Sequence, residues 1–128
     1  MSALLLDTHV LLWWLADEPR LGRAMPERID DTDVSVFVGA ASGWEISIKR
    51  SLGKLSAPED LTVVLEEEGF EPLSVEMHHG EAAGALPAIH RDPFDRMPIA
   101  QGVAETLVLV TADANVMACG TPTLDATR

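Results

Sequence analysis

The stretch from Leu4 to Leu15 constrains this chain more than any other: LLLDTHVLLWWL is apolar throughout except for the carboxylate of Asp7 and the Thr8-His9 pair behind it. Leu4 to Leu6 form an unbroken apolar triplet, the pattern of a strand buried on both faces, and such strands belong to parallel sheets covered by helices. From Thr8 onward the apolar residues continue without alternation and include good helix formers, so the stretch reads as strand, turn, helix. Asp7 then stands at the carboxyl end of the strand, where open α/β sheets place ligands. An Asp at a helix start also caps it by accepting hydrogen bonds from free backbone N–H groups. Only further acids on the same edge separate the two roles.

The rest of the chain alternates in the same way. Residues 21–29 suit a short helix, 34–38 (VSVFV) a second strand, and 40–52 a helix closed by Gly53. An amphipathic helix over 58–68, a third strand over 70–75 and a helix over 76–86 follow. Asp92-Pro93 is a helix-start signature, since Asp caps and Pro suits the first helical position. Pro98 is awkward within that helix because it removes a backbone bond. Residues 107–110 (LVLV) are the clearest buried strand, and 121–124 suit a last strand at the sheet edge. The expected fold is α/β, a twisted parallel sheet flanked by helices, in one domain over 1–128.

Composition narrows the function. Twenty-one acidic residues against nine basic give a net charge of −12, which excludes a broad surface for coating nucleic acid. Local sorting stays open: Lys49, Arg50, Lys54, Arg91 and Arg96 line one groove or simply solvate helix faces. Cys119 is the single cysteine, so no internal disulfide and no cysteine-rich zinc site is expected. The apolar start has no basic region before it and contains Asp7 and His9; a signal peptide and a membrane span are therefore not expected, and the reading is cytoplasmic.

Four acids have related addresses. Asp7 and Asp113 follow buried strands, Glu45 lies on the stripe Ala41-Glu45-Ile48-Leu52 of the helix over 40–52, and Asp95 falls in the first turn after Asp92-Pro93. A carboxylate on an apolar face needs a cation, a metal or strong donors, so Glu45 meets either a Lys or Arg or an ion. In a parallel sheet these four addresses lie along one rim. Their mutual repulsion raises pKa values, and a hard divalent cation relieves it. Oxygen ligands without cysteine suit Mg²⁺ or Mn²⁺, and the matching reaction is phosphodiester hydrolysis with an activated water. His78 and His79 are adjacent, face different ways and lack a thiolate companion, which favours exposed surface over a metal site.

LLLDTHVLLWWL, SGWEISIK, HRDPFDRMPIAQ and LVLVTADANV, in this order over nearly the whole chain, resemble the PIN-domain ribonucleases, in particular the toxins of VapBC toxin–antitoxin systems. The resemblance implies a Mg²⁺- or Mn²⁺-dependent endoribonuclease with an RNA substrate. By position it makes Asp7 and Asp95 the principal metal-binding acids, with Glu45 and Asp113 the further acids. Thr8 becomes the hydroxyl that orients water or a ligand. Asp92 also matches, although capping explains it. Pro98 departs from the usual aliphatic residue.

The same resemblance implies a cognate antitoxin whose basic side chain approaches the acids, and a homodimer. Of the adjacent Trp13 and Trp14, either one is exposed as an interface anchor or both pack into the core against different neighbours. A haloacid-dehalogenase-type phosphatase also begins with a strand ending in Asp, but needs a second Asp two residues on, where this chain has His9. A PIN-like interaction domain without activity is the other alternative.

Overall fold

The computed structural model describes residues 3–88 and 91–128. Its first strand, β1 (Leu4–Leu6), is central in a five-stranded sheet, and α1 (Thr8–Leu15) follows it directly. Next come α2 (Met25–Asp30), β2 (Val36–Gly39), α3 (Ala40–Ser51), α4 (Leu61–Glu68) and β3 (Glu71–Leu73). The second half contains α5 (Met77–Gly84), α6 (Pro93–Ala104), β4 (Val108–Thr111), α7 (Ala114–Met117) and β5 (Thr123–Asp125). His90, which the HRDPFD motif includes, lies outside the described residues.

The strand order is β3-β2-β1-β4-β5 and every pair is parallel. Leu4, Leu5 and Leu6 stand opposite Val36, Phe37 and Val38 on one side and Val108, Leu109 and Val110 on the other. The chain builds the sheet outward from β1 in one direction and then returns to build it in the other. The switch between β1 and β4 therefore opens a crevice at their carboxyl ends. Asp7 stands there, its N–H donating to the carbonyl of Val110 at 3.1 Å.

Successive strand residues point to opposite faces, and the core divides accordingly. Leu4 and Leu6 join Val10, Ile46 and Val110 on one side, while Leu5 packs with Ile99, Leu109 and Val116 on the other. Burial on both faces accounts for the uninterrupted apolar runs of β1 and β4. Among the described residues, no helix is long and apolar enough to cross a membrane.

Several expectations shift in detail. The second strand starts at Val36 rather than residue 34, and the helix expected over 21–29 forms only as α2, led by Pro26 in its first turn. Pro98 does not break α6; it is buried within a helix that continues to Ala104. Trp13 and Trp14 are both half-buried. Trp14 packs on Phe70 with ring centroids 5.9 Å apart, and the Arg20 guanidinium lies 4.9 Å over Trp13. The stripe on α3 is rotated: its buried residues are Ser42, Glu45 and Ile46, while Leu52, beyond the last helical turn, is 62% exposed.

The carboxyl-terminal segment is fastened to the body at Gly22, whose N–H donates to Ala126 at 2.8 Å. A Cβ on Gly22 would overlap the backbone of Arg128. Gly22→Ala is therefore expected to cost about 1–3 kcal/mol through overpacking and to lower the melting temperature by several degrees. An unchanged thermal midpoint would show that this segment does not hold its place.

Candidate active site

Each acid at the switch point is placed by its own element. Asp7 ends β1 with extended backbone and caps α1, its Oδ1 accepting from Val10 N–H at 2.9 Å. Asp113 follows β4 and caps α7 by accepting from Asn115 N–H at 2.8 Å. Asp92 caps α6 through Phe94 N–H at 2.9 Å, which puts Asp95 in the first turn. Glu45 is carried inward on α3 and is only 5% exposed. For Asp7, capping and a place on the ligand edge coincide.

These side chains share one cavity of about 150 Å³, lined by Asp7, Thr8, His9, Glu45, Lys49, Asp92, Phe94, Asp95 and Asp113. All five residues singled out from the sequence, Asp7, Thr8, Glu45, Asp95 and Asp113, are thus brought together. Lys49 supplies the partner Glu45 needs, its Nζ 2.6 Å from Oε2 one helical turn on. Thr8 is buried and its hydroxyl donates to Ser42 Oγ at 2.9 Å.

Two residues the sequence reading passed over support the site. Thr111, fully buried at the end of β4, hydrogen-bonds the Asp7 carboxylate and accepts from Asp113 N–H at 3.1 Å, so one hydroxyl joins two of the acids. A hydroxyl closing an otherwise apolar strand was the available signal. Ser42, one turn before Glu45, accepts from the Thr8 hydroxyl and so fixes that side chain. The solvent-exposed tryptophan is also not one of the adjacent pair: Trp44 is 63% exposed and meets Phe94 edge-on at 5.3 Å on the pocket rim.

The histidine expectation needs correction. His79 is 1% exposed, and its Nε2 and that of His78 lie 2.9 and 3.3 Å from Glu105 Oε2. Adjacent positions face different ways along a helix, but Glu105 reaches both rings from the end of α6. Among the described residues, this trio is the grouping whose ligand atoms lie within 4.8 Å of one another. His79 Nδ1 accepts from Glu76 N–H at 2.9 Å, so a neutral ring keeps its proton on Nε2 and donates it to Glu105. An ion at Nε2 would have to displace that proton while Nδ1 stays engaged. The trio is a clasp between α5 and α6.

Charge in the acid pocket is out of balance. Burial comes first in raising the pKa of Asp7, opposed by the Thr111 hydroxyl, the Val10 N–H and His9, and reinforced by Asp113. Asp95 is pushed up from 3.8 to about 6, again chiefly by desolvation, with Asp92, Asp113, Glu45 and Asp7 adding repulsion. Between those two pH values the folded chain retains a proton on Asp95 that the unfolded chain has lost. Stability therefore falls as pH rises through that window, and the penalty is complete above it. In chelator, the melting temperature is expected to be higher near pH 5 than near pH 7.5 on this account. Asp95→Asn should remove much of that difference; a variant with the wild-type pH dependence would place the effect on another group.

A family model for the PIN domain matches residues 4–118. Ribonuclease VapC22 of Mycobacterium tuberculosis (strain ATCC 25618 / H37Rv) is 32% identical over 121 residues, spanning 88% of this chain and 88% of that protein. Among solved structures, VapBC2 from Rickettsia felis bound to a promoter DNA fragment matches with a TM-score of 0.72 at 12% identity, over 97% of this chain and 98% of that one. A toxin-antitoxin complex from Klebsiella pneumoniae matches with a TM-score of 0.64 at 13% identity, over 95% and 96% respectively. At those identities the two structures speak for the fold. Together with the family match over most of its length and the ribonuclease relative, they place the chain: it belongs to the PIN domain family.

Proposed function

We propose that this chain is a divalent-metal-dependent endoribonuclease, the toxin of a toxin–antitoxin pair, with Asp7, Glu45, Asp95 and Asp113 as its metal-binding acids and Thr8 as a positioning hydroxyl. The observation that carries the reading is the convergence of these residues, from four separate regions of the chain, on one small pocket. The ribonuclease relative supports the substrate class.

The donor set fits a hard ion. Its ligands are carboxylate oxygens, with no thiolate lining the pocket, which suits Mg²⁺ or Mn²⁺. The Asp95 carboxyl is pushed up to about 6 by desolvation and by its neighbours' charge, so a dication there would relieve that repulsion. Such an ion supplies charge stabilisation at the phosphate oxygens and lowers the pKa of water. The chain's own residues do the rest. Thr111 fixes the Asp7 carboxylate, Lys49 holds Glu45, and Thr8, in the pocket wall, is anchored on Ser42 through its hydroxyl.

An acid cluster that needs a cation also accepts a guanidinium or ammonium from another protein. A cognate antitoxin with a basic side chain at this pocket would compete directly with the ion, and a homodimer is the expected assembly. The solved toxin-antitoxin complex from Klebsiella pneumoniae supports such a partner through its shared fold.

Asp7→Asn and Asp95→Asn are each expected to reduce cleavage of structured RNA by a factor of at least 100, in line with the loss of a group that stabilises transition-state charge. Without metal, Asp95→Asn should be as stable as the wild type or more so, since it removes repulsion. Asp7→Asn keeps a side-chain oxygen able to accept from Val10 N–H and cap α1, so without metal it too should be as stable as the wild type or more so. Unfolding of both variants would mean that the acids serve the fold alone.

Saturating Mn²⁺ should raise the wild-type melting temperature, because an ion that binds only the assembled pocket stabilises it, and neither variant should match that rise. Cleavage that persists in EDTA, or a thermal midpoint indifferent to Mn²⁺, would overturn the metal centre.

A further inference from the structure

A second, larger cavity opens beside the acid pocket and shares Thr8, His9 and Lys49 with it. It occupies about 470 Å³, and its wall continues over Leu12, Trp13, Ala16, Arg20, Lys54, Leu55 and Ser56. Its charge runs against that of the whole molecule. In a chain with 21 acidic and 9 basic residues, the lining contains Arg20, Lys49 and Lys54 and no carboxylate.

Chance placement would favour acids more than two to one, and the acid pocket next door follows that bias. The cations are also held apart in defined positions. Lys49 is fixed by Glu45, and Arg20 lies over the Trp13 ring while pairing with Glu18 at 3.2 Å. Lys54 donates its backbone N–H to Lys49 at 2.8 Å, and among the described residues its ammonium enters no ion pair.

We infer that this groove is the track for the sugar-phosphate backbone of a single RNA strand, with Lys54 and Arg20 contacting phosphates on one side of the bond to be cut and Lys49 marking the entrance to the acid pocket. The inference rests on the ribonuclease reading of that pocket. Physical need supports it: a polyanion approaching a molecule of charge −12 gains nothing from the general field and must find its cations locally. A groove that sets two amines and a guanidinium among Leu12, Trp13, Ala16 and Leu55 suits a flexible single strand whose backbone tracks positive charge while its bases meet apolar and aromatic wall. Arg50 and Arg96, grouped with these cations in the sequence, are used elsewhere. Arg50 donates to the Pro58 carbonyl, and Arg96 donates to the carbonyls of Ala83, Gly84, Leu86 and Pro87.

The test compares charge reversals of equal size. Lys54→Glu and Arg20→Glu alter the groove, whereas Arg23→Glu changes the net charge identically from an exposed position outside it. Binding of a labelled single-stranded RNA oligomer is measured by anisotropy in Ca²⁺ across a salt series, and Mn²⁺ binding is titrated separately. Each groove variant should weaken RNA binding roughly tenfold at low salt and reduce the slope of log K against log salt by about 1. Arg23→Glu should keep the wild-type slope, and Mn²⁺ affinity should persist in all three.

Equal weakening by Arg23→Glu would mean that net charge alone acts, and unchanged RNA binding in the groove variants would assign the groove to another occupant, such as a protein segment; either result overturns the inference. Wild-type protein that binds RNA through these residues without cutting it would sink the nuclease reading and leave the track standing. Cleavage with unaltered KM in the groove variants would do the reverse.

Discussion

The rest of the site follows from concentrating negative charge where β1 and β4 end. Four carboxylates and Asp92 face a pocket of about 150 Å³ that holds one lysine. Isolated buried charges of one sign are expensive, so the fold supplies a donor for nearly every one. Val10, Phe94 and Asn115 offer helix-start N–H groups to Asp7, Asp92 and Asp113, and Lys49 offers its ammonium to Glu45. Asp95 is the exception. Among the described residues no side chain or backbone donor reaches its carboxylate, and it is the acid whose pKa rises to about 6. The capping and functional readings of these acids are therefore one arrangement. A helix start supplies N–H groups that favour a carboxylate held at the rim of the pocket.

That arrangement requires a rigid base. Leu5, Leu6, Leu109 and Val110 are between 0 and 1% exposed, so the two central strands are fixed from both faces before either acid is set. Thr111 then couples them, because one hydroxyl serves the Asp7 carboxylate and the Asp113 N–H. Small movements of either strand are felt by both acids, as the proposed cation site would require. The His79 clasp does comparable work further out, tying α5 to the end of α6, the helix whose first turn carries Asp95.

How much of this was legible in the sequence depended on whether local pattern or long-range contact set the outcome. The LLLDT and LVLVTAD stretches announced buried strands ending in acids because burial on both faces removes alternation, and Asp92-Pro93 announced α6 through its cap. Glu45 lies on the buried face of α3 as its spacing predicts, but that face runs through Ser42 and Ile46 rather than Ala41 and Ile48, and Leu52 lies past the end of the core that α3 covers. Pro98 removes one backbone bond from α6, yet the helix continues to Ala104, held by the burial of Ile99, Ala100 and Gln101 beside it. His79 and Trp44 were missed for a shared reason. Their surroundings come from Glu105 and Phe94, 26 and 50 residues away, and no periodicity within a window records such partners.

The acidic balance of the chain looks incompatible with a polyanionic substrate only if charge is treated as a sum. At physiological salt the Debye length is about 8 Å, so carboxylates on distant faces are screened from a strand lying in one groove. What a phosphate there meets is the local set: Lys54 and Arg20 along the wall, the latter shared with Glu18, and Lys49 with one side turned to Glu45. The acids beyond Lys49 repel a bare phosphate and welcome one accompanied by a dication. On the proposed reading, local sorting would make substrate entry and ion binding mutually dependent: the groove would draw the strand in, and the acid pocket would admit its phosphate only when positive charge is shared there.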